Sequence, residues 1–288
     1  LLLPCLTVQD QLGIRVKKLP LKAEPAEQLA ALEALLSPRT RLLAISHVTT
    51  DLGFRLPVQA LCARAAQAKV LSFVDMAHST GLWPMSLREI GCDFAGVLSY
   101  KWTYAPYASG FLYIRAEHLH TLAQPFAGGR SESFLDFATD EYHLHESARR
   151  YQYGPWSWPL VHAWATALDY LEDIGVEAIW QRTAALTTRL KKALGEISAV
   201  TIYTPLPAEQ SAALVAFEVA GWDGELLAQA LRHRYNIVLK SLPGALNGQR
   251  ASVPFFLLES EIDALAEAIA TLAGETPPTG TTAKGRHL

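Results

Sequence analysis

Residues 73–115 read FVDMAHSTGLWPMSLREIGCDFAGVLSYKWTYAPYASGFLYIR, and this stretch decides the fold of the chain. An apolar run from Val70 to Val74 predicts a buried strand with Asp75 at its carboxyl end. A second strand is predicted from Phe94 to Ser99, and it leads to Lys101, 26 residues after Asp75. Buried parallel strands collect ligands at their carboxyl ends. We therefore expect Asp75 and Lys101 at one edge of a sheet.

An acid and an amine at one sheet edge have a definite chemical use. A lysine amine that is desolvated in a cleft can form a Schiff base with an aldehyde. A carboxylate beside a pyridine nitrogen keeps that nitrogen protonated, which turns the ring into an electron sink. Asp75 and Lys101 are therefore the pair that pyridoxal phosphate chemistry requires.

Helical and strand patterns alternate on both sides of this stretch. Upstream, a helix ends at Gly13, a short strand is predicted at 14–19, and a helix at 26–36 precedes an apolar strand at 42–48. Downstream, the run at 111–114 is a further strand. Buried strands that are separated by helices predict an α/β fold with a mostly parallel sheet.

The pattern of predicted helices and strands changes after Gly154. An apolar helix is predicted at 158–171 and a longer amphipathic helix at 176–197, followed by the short strands and helices of an α+β unit. The last residues are rich in Thr, Pro and Gly, which is typical of a disordered tail. The predicted organisation is a large domain at 1–175, a small domain at 176–273 and a disordered tail at 274–288.

The composition excludes several classes of protein. The 25 basic and 28 acidic residues give a net charge of −3, which rules out electrostatic capture of nucleic acid or of an anionic membrane over the whole surface. No apolar run is close to the length of about 20 residues that a membrane-spanning helix needs. Cys5, Cys62 and Cys92 show no CxxC spacing, so we expect a reducing, cytoplasmic compartment.

The nine histidines predict no metal site. His118 with His120, and His143 with His145, are spaced two residues apart, and such pairs share a face only on a strand. Both pairs are predicted in polar connecting stretches, where solvated side chains are expected.

The motif VDMAHSTG, followed by SYKW and APYASGFLYIR, resembles the class V aminotransferase family, a branch of the fold type I pyridoxal-phosphate enzymes. The resemblance extends from about Leu1 to Leu272. It implies a three-layer α/β/α PLP-dependent transferase fold with a smaller C-terminal α+β domain, a bound pyridoxal 5′-phosphate and a homodimer. It also implies that family members carry an additional N-terminal segment, in which a helix N-terminus cradles the cofactor phosphate.

The resemblance, carried over position by position, assigns roles around the cofactor. Lys101 would be the catalytic internal-aldimine lysine, and Asp75 the partner of the pyridine nitrogen. His78 matches the Gln or His that family members direct at the aldimine side of the ring. Tyr100 occupies a position from which a side chain reaches the phosphate, and Ser99 is next to a position at which the family often has a phosphate-binding serine.

Two further residues match positions near the cofactor and the substrate. Thr50, in SHVTT, stands where the family has an asparagine near the cofactor's phenolic oxygen, and a hydroxyl can still donate there. Arg250, in GQRAS, matches the family's Arg-x-Ser strand. Its planar guanidinium would bind the carboxylate of an amino-acid substrate through two parallel hydrogen bonds.

The resemblance implies an enzyme that acts at Cα or Cβ of an amino acid, most like isopenicillin N epimerase-like proteins, as His78, Thr50 and Trp102 indicate. A cysteine desulfurase or carbon–sulfur lyase is the alternative, although LKSLPGALNGQR lacks the nucleophilic cysteine of the desulfurases. A kynureninase-like hydrolase is a third reading. The alternative of another class is a non-catalytic binding or assembly module with a degenerate cofactor site.

Overall fold

In the computed structural model, residues 1–243 and 246–277 are described, and they form two compact units. The first unit consists of Leu1–His47, Pro57–Thr80 and Met85–Asp173. The second consists of Val48–Leu56, Gly81–Pro84 and the chain from Ile174 onward. The predicted tail at 274–288 lies for the most part outside the described residues.

The first unit contains a four-stranded sheet. Its strands, in the order in which they pair, are β1 (Leu42–Ser46), β2 (Leu71–Asp75), β3 (Phe94–Leu98) and β4 (Gly110–Ile114). The β1–β2 and β2–β3 pairs are parallel, and β4 is antiparallel to β3. The helices of this unit are α1 (Leu2–Leu12), α2 (Pro25–Leu35), α3 (Val58–Gln67), α4 (Leu87–Ile90) and α5 (Trp158–Ile174). The predicted α/β class with a mostly parallel sheet is confirmed.

Helix α3 and strand β2 show why segments of this unit form regular structure. The buried residues of α3, Val58, Leu61, Cys62 and Ala65, are spaced three and four apart and therefore share one face. Strand β2 buries Ser72 and Val74, every second residue, as a strand does. Because β1, β2 and β3 run in parallel, their carboxyl ends lie at the same edge of the sheet.

The predicted strand at 14–19 is wrong. Gly13 ends α1 in the left-handed conformation with φ 66°, as expected, but the residues after it form no strand. The amide of Val16 donates instead to the side-chain oxygen of Gln9, at 2.8 Å. Ile14 is 47% exposed, so this run has no buried face that would favour pairing.

The structure contains a β-hairpin that the sequence does not predict. One histidine that was expected in a connecting stretch lies on a strand of this hairpin. Strands β5 (Glu132–Asp136) and β6 (Glu141–Leu144) pair with each other in antiparallel fashion. His143, predicted in a connecting stretch, lies on β6 opposite Phe134, with ring centroids 5.6 Å apart. The hairpin escapes sequence analysis because none of its residues is fully buried, so no apolar alternation marks it.

The second unit is the α+β arrangement that the sequence predicts. Its antiparallel sheet has the strand order β7 (Val200–Ile202), β8 (Leu214–Val219), β10 (Gln249–Ser252), β9 (Lys240–Ser241). Its helices are α6 (Val176–Gly195), α7 (Gly224–Tyr235) and α8 (Glu259–Ala273). They share one core with the sheet, in which Leu190, Leu194, Phe217, Leu231 and Ile269 are fully buried. Among the described residues, no helix has both the length and the apolar character needed to cross a membrane.

Candidate active site

Lys101, the predicted cofactor lysine, lies in the turn that follows β3. Its Nζ is 3.0 Å from Nε2 of His78, which comes from the segment after β2. The other ring nitrogen of His78, Nδ1, accepts a hydrogen bond of 3.2 Å from the indole Nε1 of Trp102. The structure therefore brings two of the predicted site residues, Lys101 and His78, into direct contact.

Asp75 is the last residue of β2, and its carboxylate is held in place by the chain that follows. Its Oδ1 accepts a hydrogen bond of 2.9 Å from the amide of Ala77. Its main-chain carbonyl accepts from the amide of His47, also at 2.9 Å, which continues the parallel pairing of β1 and β2. The strands that lead to Asp75 and to Lys101 are neighbours in the sheet, so both residues lie at its carboxyl edge, as predicted.

Ser99 is fully buried, and its hydroxyl is engaged within the loop that joins β3 to β4. Its Oγ lies 2.7 Å from the carbonyl oxygen of Pro106 and 2.9 Å from that of Ser109, so its proton points at the main chain. Ser109 Oγ donates to Ser99 Oγ at 2.7 Å. The predicted contact of Ser99 with a phosphate stays a prediction, and it requires the hydroxyl to leave these carbonyls.

Tyr100 lies between Ser99 and Lys101, and its ring stacks on that of Tyr107. The two ring centroids are 4.6 Å apart, with an interplanar angle of 28°. Tyr107 is 75% exposed, so the stack stands at the surface of the described chain. The predicted role of Tyr100 toward the cofactor phosphate stays a prediction.

Thr50 and Arg250, the two remaining predicted site residues, meet in the second unit. Nη1 of Arg250 donates to the main-chain carbonyl oxygen of Thr50 at 2.7 Å, and Nη2 lies 3.5 Å from Oγ of Ser252. Burial lowers the pKa of Arg250 from its ordinary value, although the charge of Asp51 opposes that effect. Nε of Arg250 is buried and finds no hydrogen-bond partner in the described part of the chain. A partly desolvated guanidinium is suited to pair with a carboxylate.

Asp93, Glu117 and His118 place ligand atoms close enough for a metal ion. The carboxylate of Asp93 is nevertheless engaged with protein donors: the amide of Ser72 at 2.7 Å, the hydroxyl of Ser72 at 2.9 Å and Nε2 of His118 at 2.9 Å. Burial acts to raise the pKa of Asp93, but the hydrogen bonds from His118 and Ser72, with the charge of Arg115, hold it below its ordinary value. We therefore interpret these side chains as a hydrogen-bonded cluster that stabilises the pairing of β2 with β3.

Trp102 is the contact residue to which sequence reasoning assigned no role in the site. Its only signal was its position next to Lys101, because spacing along the chain does not reveal that an indole N–H reaches a histidine. Trp102 is 6% exposed, so apolar burial alone would have explained its presence.

Comparison with known proteins identifies relatives of the chain. The family described as Aminotransferase class-V matches residues 1–260. Isopenicillin N epimerase of Streptomyces clavuligerus is 33% identical over 279 residues, which cover 92% of this chain and 68% of that protein. A probable cysteine desulfurase of a Synechocystis strain is 29% identical, over 91% of this chain and 64% of that protein. The chain thus spans about two thirds of the length of these two relatives.

Solved structures show the same fold. An apo cysteine desulfurase from Thermococcus onnurineus NA1 superimposes with a TM-score of 0.85 at 25% identity, over 94% of this chain and 69% of that chain. A cystine C-S lyase in complex with its reaction product, cysteine persulfide, gives a TM-score of 0.83 at 24% identity, over 92% of this chain and 71% of that chain. The predicted fold of the PLP-dependent transferases and the predicted family resemblance are both confirmed.

Proposed function

The chain belongs to the class V aminotransferase family, a family of PLP-dependent enzymes, and we propose that it acts on an amino acid with bound pyridoxal 5′-phosphate. The observation that carries this proposal is the contact between Lys101 and His78 at the sheet edge where β2 delivers Asp75. An amine, an imidazole and a fixed carboxylate at one edge form the donor set that this cofactor needs.

The residues of this edge fit the cofactor. The amine of Lys101 would hold its aldehyde carbon, and the carboxylate of Asp75 would keep its ring nitrogen protonated. His78, Thr50, Tyr100 and Ser99 are the further residues proposed to contact it. When bound, pyridoxal phosphate supplies an electron sink for negative charge at the substrate Cα.

The protein's own part in the reaction is to bind the substrate and to move a proton. Arg250 is proposed to bind the substrate carboxylate, supported by the partial desolvation of its guanidinium, which favours pairing with an anion. Lys101, once it is a free amine, is the proposed base that takes the proton from Cα. The amide of Ala77 donates to the carboxylate of Asp75 and helps to fix its position.

We favour an epimerase-like reaction within the family. Its support is the 33% identity to isopenicillin N epimerase and the absence of a cysteine from LKSLPGALNGQR, residues 239–250. A desulfurase or carbon–sulfur lyase is the second candidate, favoured by the relatives and solved structures that carry those names. A kynureninase-like hydrolysis and a non-catalytic module remain the other two hypotheses.

The compartment and the partners are also proposals. All three cysteines are free thiols, which fits a reducing, cytoplasmic compartment. We propose an amino acid as the small-molecule substrate and a second copy of the chain as the protein partner.

The test is cofactor capture at a single lysine. We expect the purified protein to acquire a visible absorbance band when pyridoxal phosphate is added, and borohydride to fix the label on the peptide that contains Lys101. The Lys101→Ala variant should show neither band nor label. Lys192→Ala, which removes an exposed lysine from α6, is the matched control and should behave as the unaltered protein.

Label on several surface lysines, with no band that depends on Lys101, would contradict the enzyme proposal and favour the non-catalytic module. If the band forms, amino acids are added one at a time. Exchange of the Cα proton with solvent deuterium without loss of a side-chain group supports epimerisation, whereas release of sulfide supports the desulfurase reading.

A further inference from the structure

His78 lies between two nitrogen-bearing side chains, and its two ring nitrogens face different partners. Nδ1 is 3.2 Å from the indole Nε1 of Trp102, and Nε2 is 3.0 Å from Nζ of Lys101. All three residues belong to the first unit. Which nitrogen of His78 carries the proton therefore decides how the Lys101 amine is bound.

The indole of Trp102 settles that question, because an indole nitrogen can only donate. Nδ1 of His78 must then accept, so its lone pair is free of a proton. In a neutral imidazole the proton is consequently on Nε2. Nε2–H faces Nζ of Lys101, and the lysine nitrogen must be the acceptor of this hydrogen bond.

The opposite tautomer, with the proton on Nδ1, is excluded because it would place two hydrogen-bond donors opposite each other. With the proton on Nδ1, the ring would direct an N–H at the N–H of Trp102 across 3.2 Å. A doubly protonated ring would do the same and would also face the lysine with a second donor. An ammonium group has no lone pair, so the tautomer that suits Trp102 suits Lys101 only as a neutral amine.

The position of Trp102 is held by contacts that do not involve His78. The next residue, Thr103, donates from Oγ1 to the carbonyl oxygen of Ser99 at 2.5 Å, and it accepts from Nε1 of Trp164 at 3.0 Å. The amide of Ala105 donates to the same Ser99 carbonyl at 3.1 Å. The turn that carries the indole is thus fixed by hydrogen bonds that do not involve His78.

We propose that Trp102 is a positioning residue: its indole N–H places the proton of His78 on Nε2, and His78 in turn holds the amine of Lys101 in the neutral, nucleophilic form. The role of that amine in cofactor capture rests on the proposed function. The tautomer and the state of the amine are properties of the chain without cofactor, and they are tested in its absence.

The first test is the nitrogen-15 NMR spectrum of the histidine side chains, with His78 assigned by its loss in His78→Gln. In the unaltered protein we expect the pattern of a neutral ring protonated on Nε2. Trp102→Phe should lose this pattern or give a mixture of tautomers, because Nδ1 no longer accepts a hydrogen bond from the indole. Trp158→Phe, which removes an exposed indole from the same unit, is the control and should leave His78 unchanged.

The second test measures the protonation state of the Lys101 amine directly. It uses trace labelling with acetic anhydride and mass spectrometry of the peptide that contains Lys101. Labelling follows the neutral fraction of each amine. We expect about tenfold less labelling of Lys101 in Trp102→Phe, the effect of losing one hydrogen bond at the upper end of its usual strength. Lys192 in the same digest is the internal standard and should not change.

A variant that changes only the donor guards against a folding defect. Benzothienylalanine at position 102 keeps the shape of the bicyclic ring and replaces the N–H by sulfur, and it should reproduce both effects of Trp102→Phe. A proton on Nδ1 in the unaltered protein, or an unchanged tautomer in both Trp102 variants, overturns the proposal. If the tautomer is as expected but no cofactor is captured, the proposed function fails while this inference stands.

Discussion

Lys191 is a charged residue in the interior of the second unit. It is 4% exposed, and its amine donates to the carbonyl oxygens of Pro205 at 2.8 Å and Leu206 at 3.1 Å and to the hydroxyl of Ser211 at 2.6 Å. Desolvation by burial lowers the pKa of Lys191 from 10.5 to about 8, against a weaker opposing effect of Glu209. Its three protons are matched with three acceptors, so its role is to fix the 205–211 segment to α6.

The lowered pKa of Lys191 predicts how stability depends on pH. Below about pH 8 the amine of Lys191 is protonated in both the folded and the unfolded protein. Between about pH 8 and pH 10.5 it stays protonated only in the unfolded protein. The free energy of unfolding should therefore rise across this window, by about 3 kcal/mol at most. Urea unfolding at pH 8 and at pH 10 should show the rise in Lys192→Met and lack it in Lys191→Met. Equal slopes in both variants would contradict the assignment.

The site residues differ in how far the sequence could predict them. Asp75 and Lys101 were placed correctly at one edge, because both follow strands whose apolar runs are plain in the sequence. The engagement of Ser99 with two carbonyls and the contact of Trp102 with His78 were not predictable. These depend on the path of a loop and on the direction of a side chain, which residue spacing does not specify.

The turn from Thr49 to Phe54 is the element that presents Thr50 to Arg250. Thr49 accepts from the amide of Gly53 at 3.0 Å, and the amides of Thr49 and Phe54 are bonded within the turn. Gly53 has φ 71°, a left-handed conformation, and a Cβ on it would meet the carbonyl oxygen of Leu214. Only glycine fits this position without strain.

Gly53→Ala should therefore destabilise the protein for two reasons, the backbone conformation and the contact with Leu214. We expect a loss of about 2 to 4 kcal/mol in the free energy of unfolding, measured by urea titration. Gly13→Ala separates the two effects, because Gly13 has φ 66° but open space where a Cβ would go. Its cost should be only about 1 kcal/mol. Equal losses in both variants would show that the contact with Leu214 contributes nothing.

The elements as a whole were predictable where burial imposes a period. Strands β1 to β3 match their predicted segments because each has buried side chains. The hairpin β5–β6 was missed and the strand at 14–19 was wrongly expected, since neither segment buries one face. The spacing of apolar residues in a sequence indicates which side chains are buried. It therefore does not predict secondary structure where both faces of a segment are exposed.

At the scale of the molecule, exposed apolar side chains are concentrated in one part of the sequence. Among the described residues, 15 of the 28 large hydrophobic residues that are exposed lie between Tyr104 and Tyr170, and only four lie after Ile174. Helix α5 buries Leu171 alone, although its sequence is largely apolar. Large exposed apolar surface marks an interaction site on a soluble protein. The first unit is therefore where we expect the proposed homodimer to form.

The homodimer proposal is testable with a single charge on α5. Trp158 is 53% exposed at the start of this helix, where a glutamate favours the helix dipole and should not impair folding. Sedimentation equilibrium should show a dimer for the unaltered chain and a dissociation constant raised by about tenfold or more for Trp158→Glu, because a desolvated charge replaces an aromatic contact. Val238→Glu, at a residue of the second unit that is 69% exposed, should leave the dimer intact. A monomer at every concentration, or equal weakening by both substitutions, would contradict an interface built on α5.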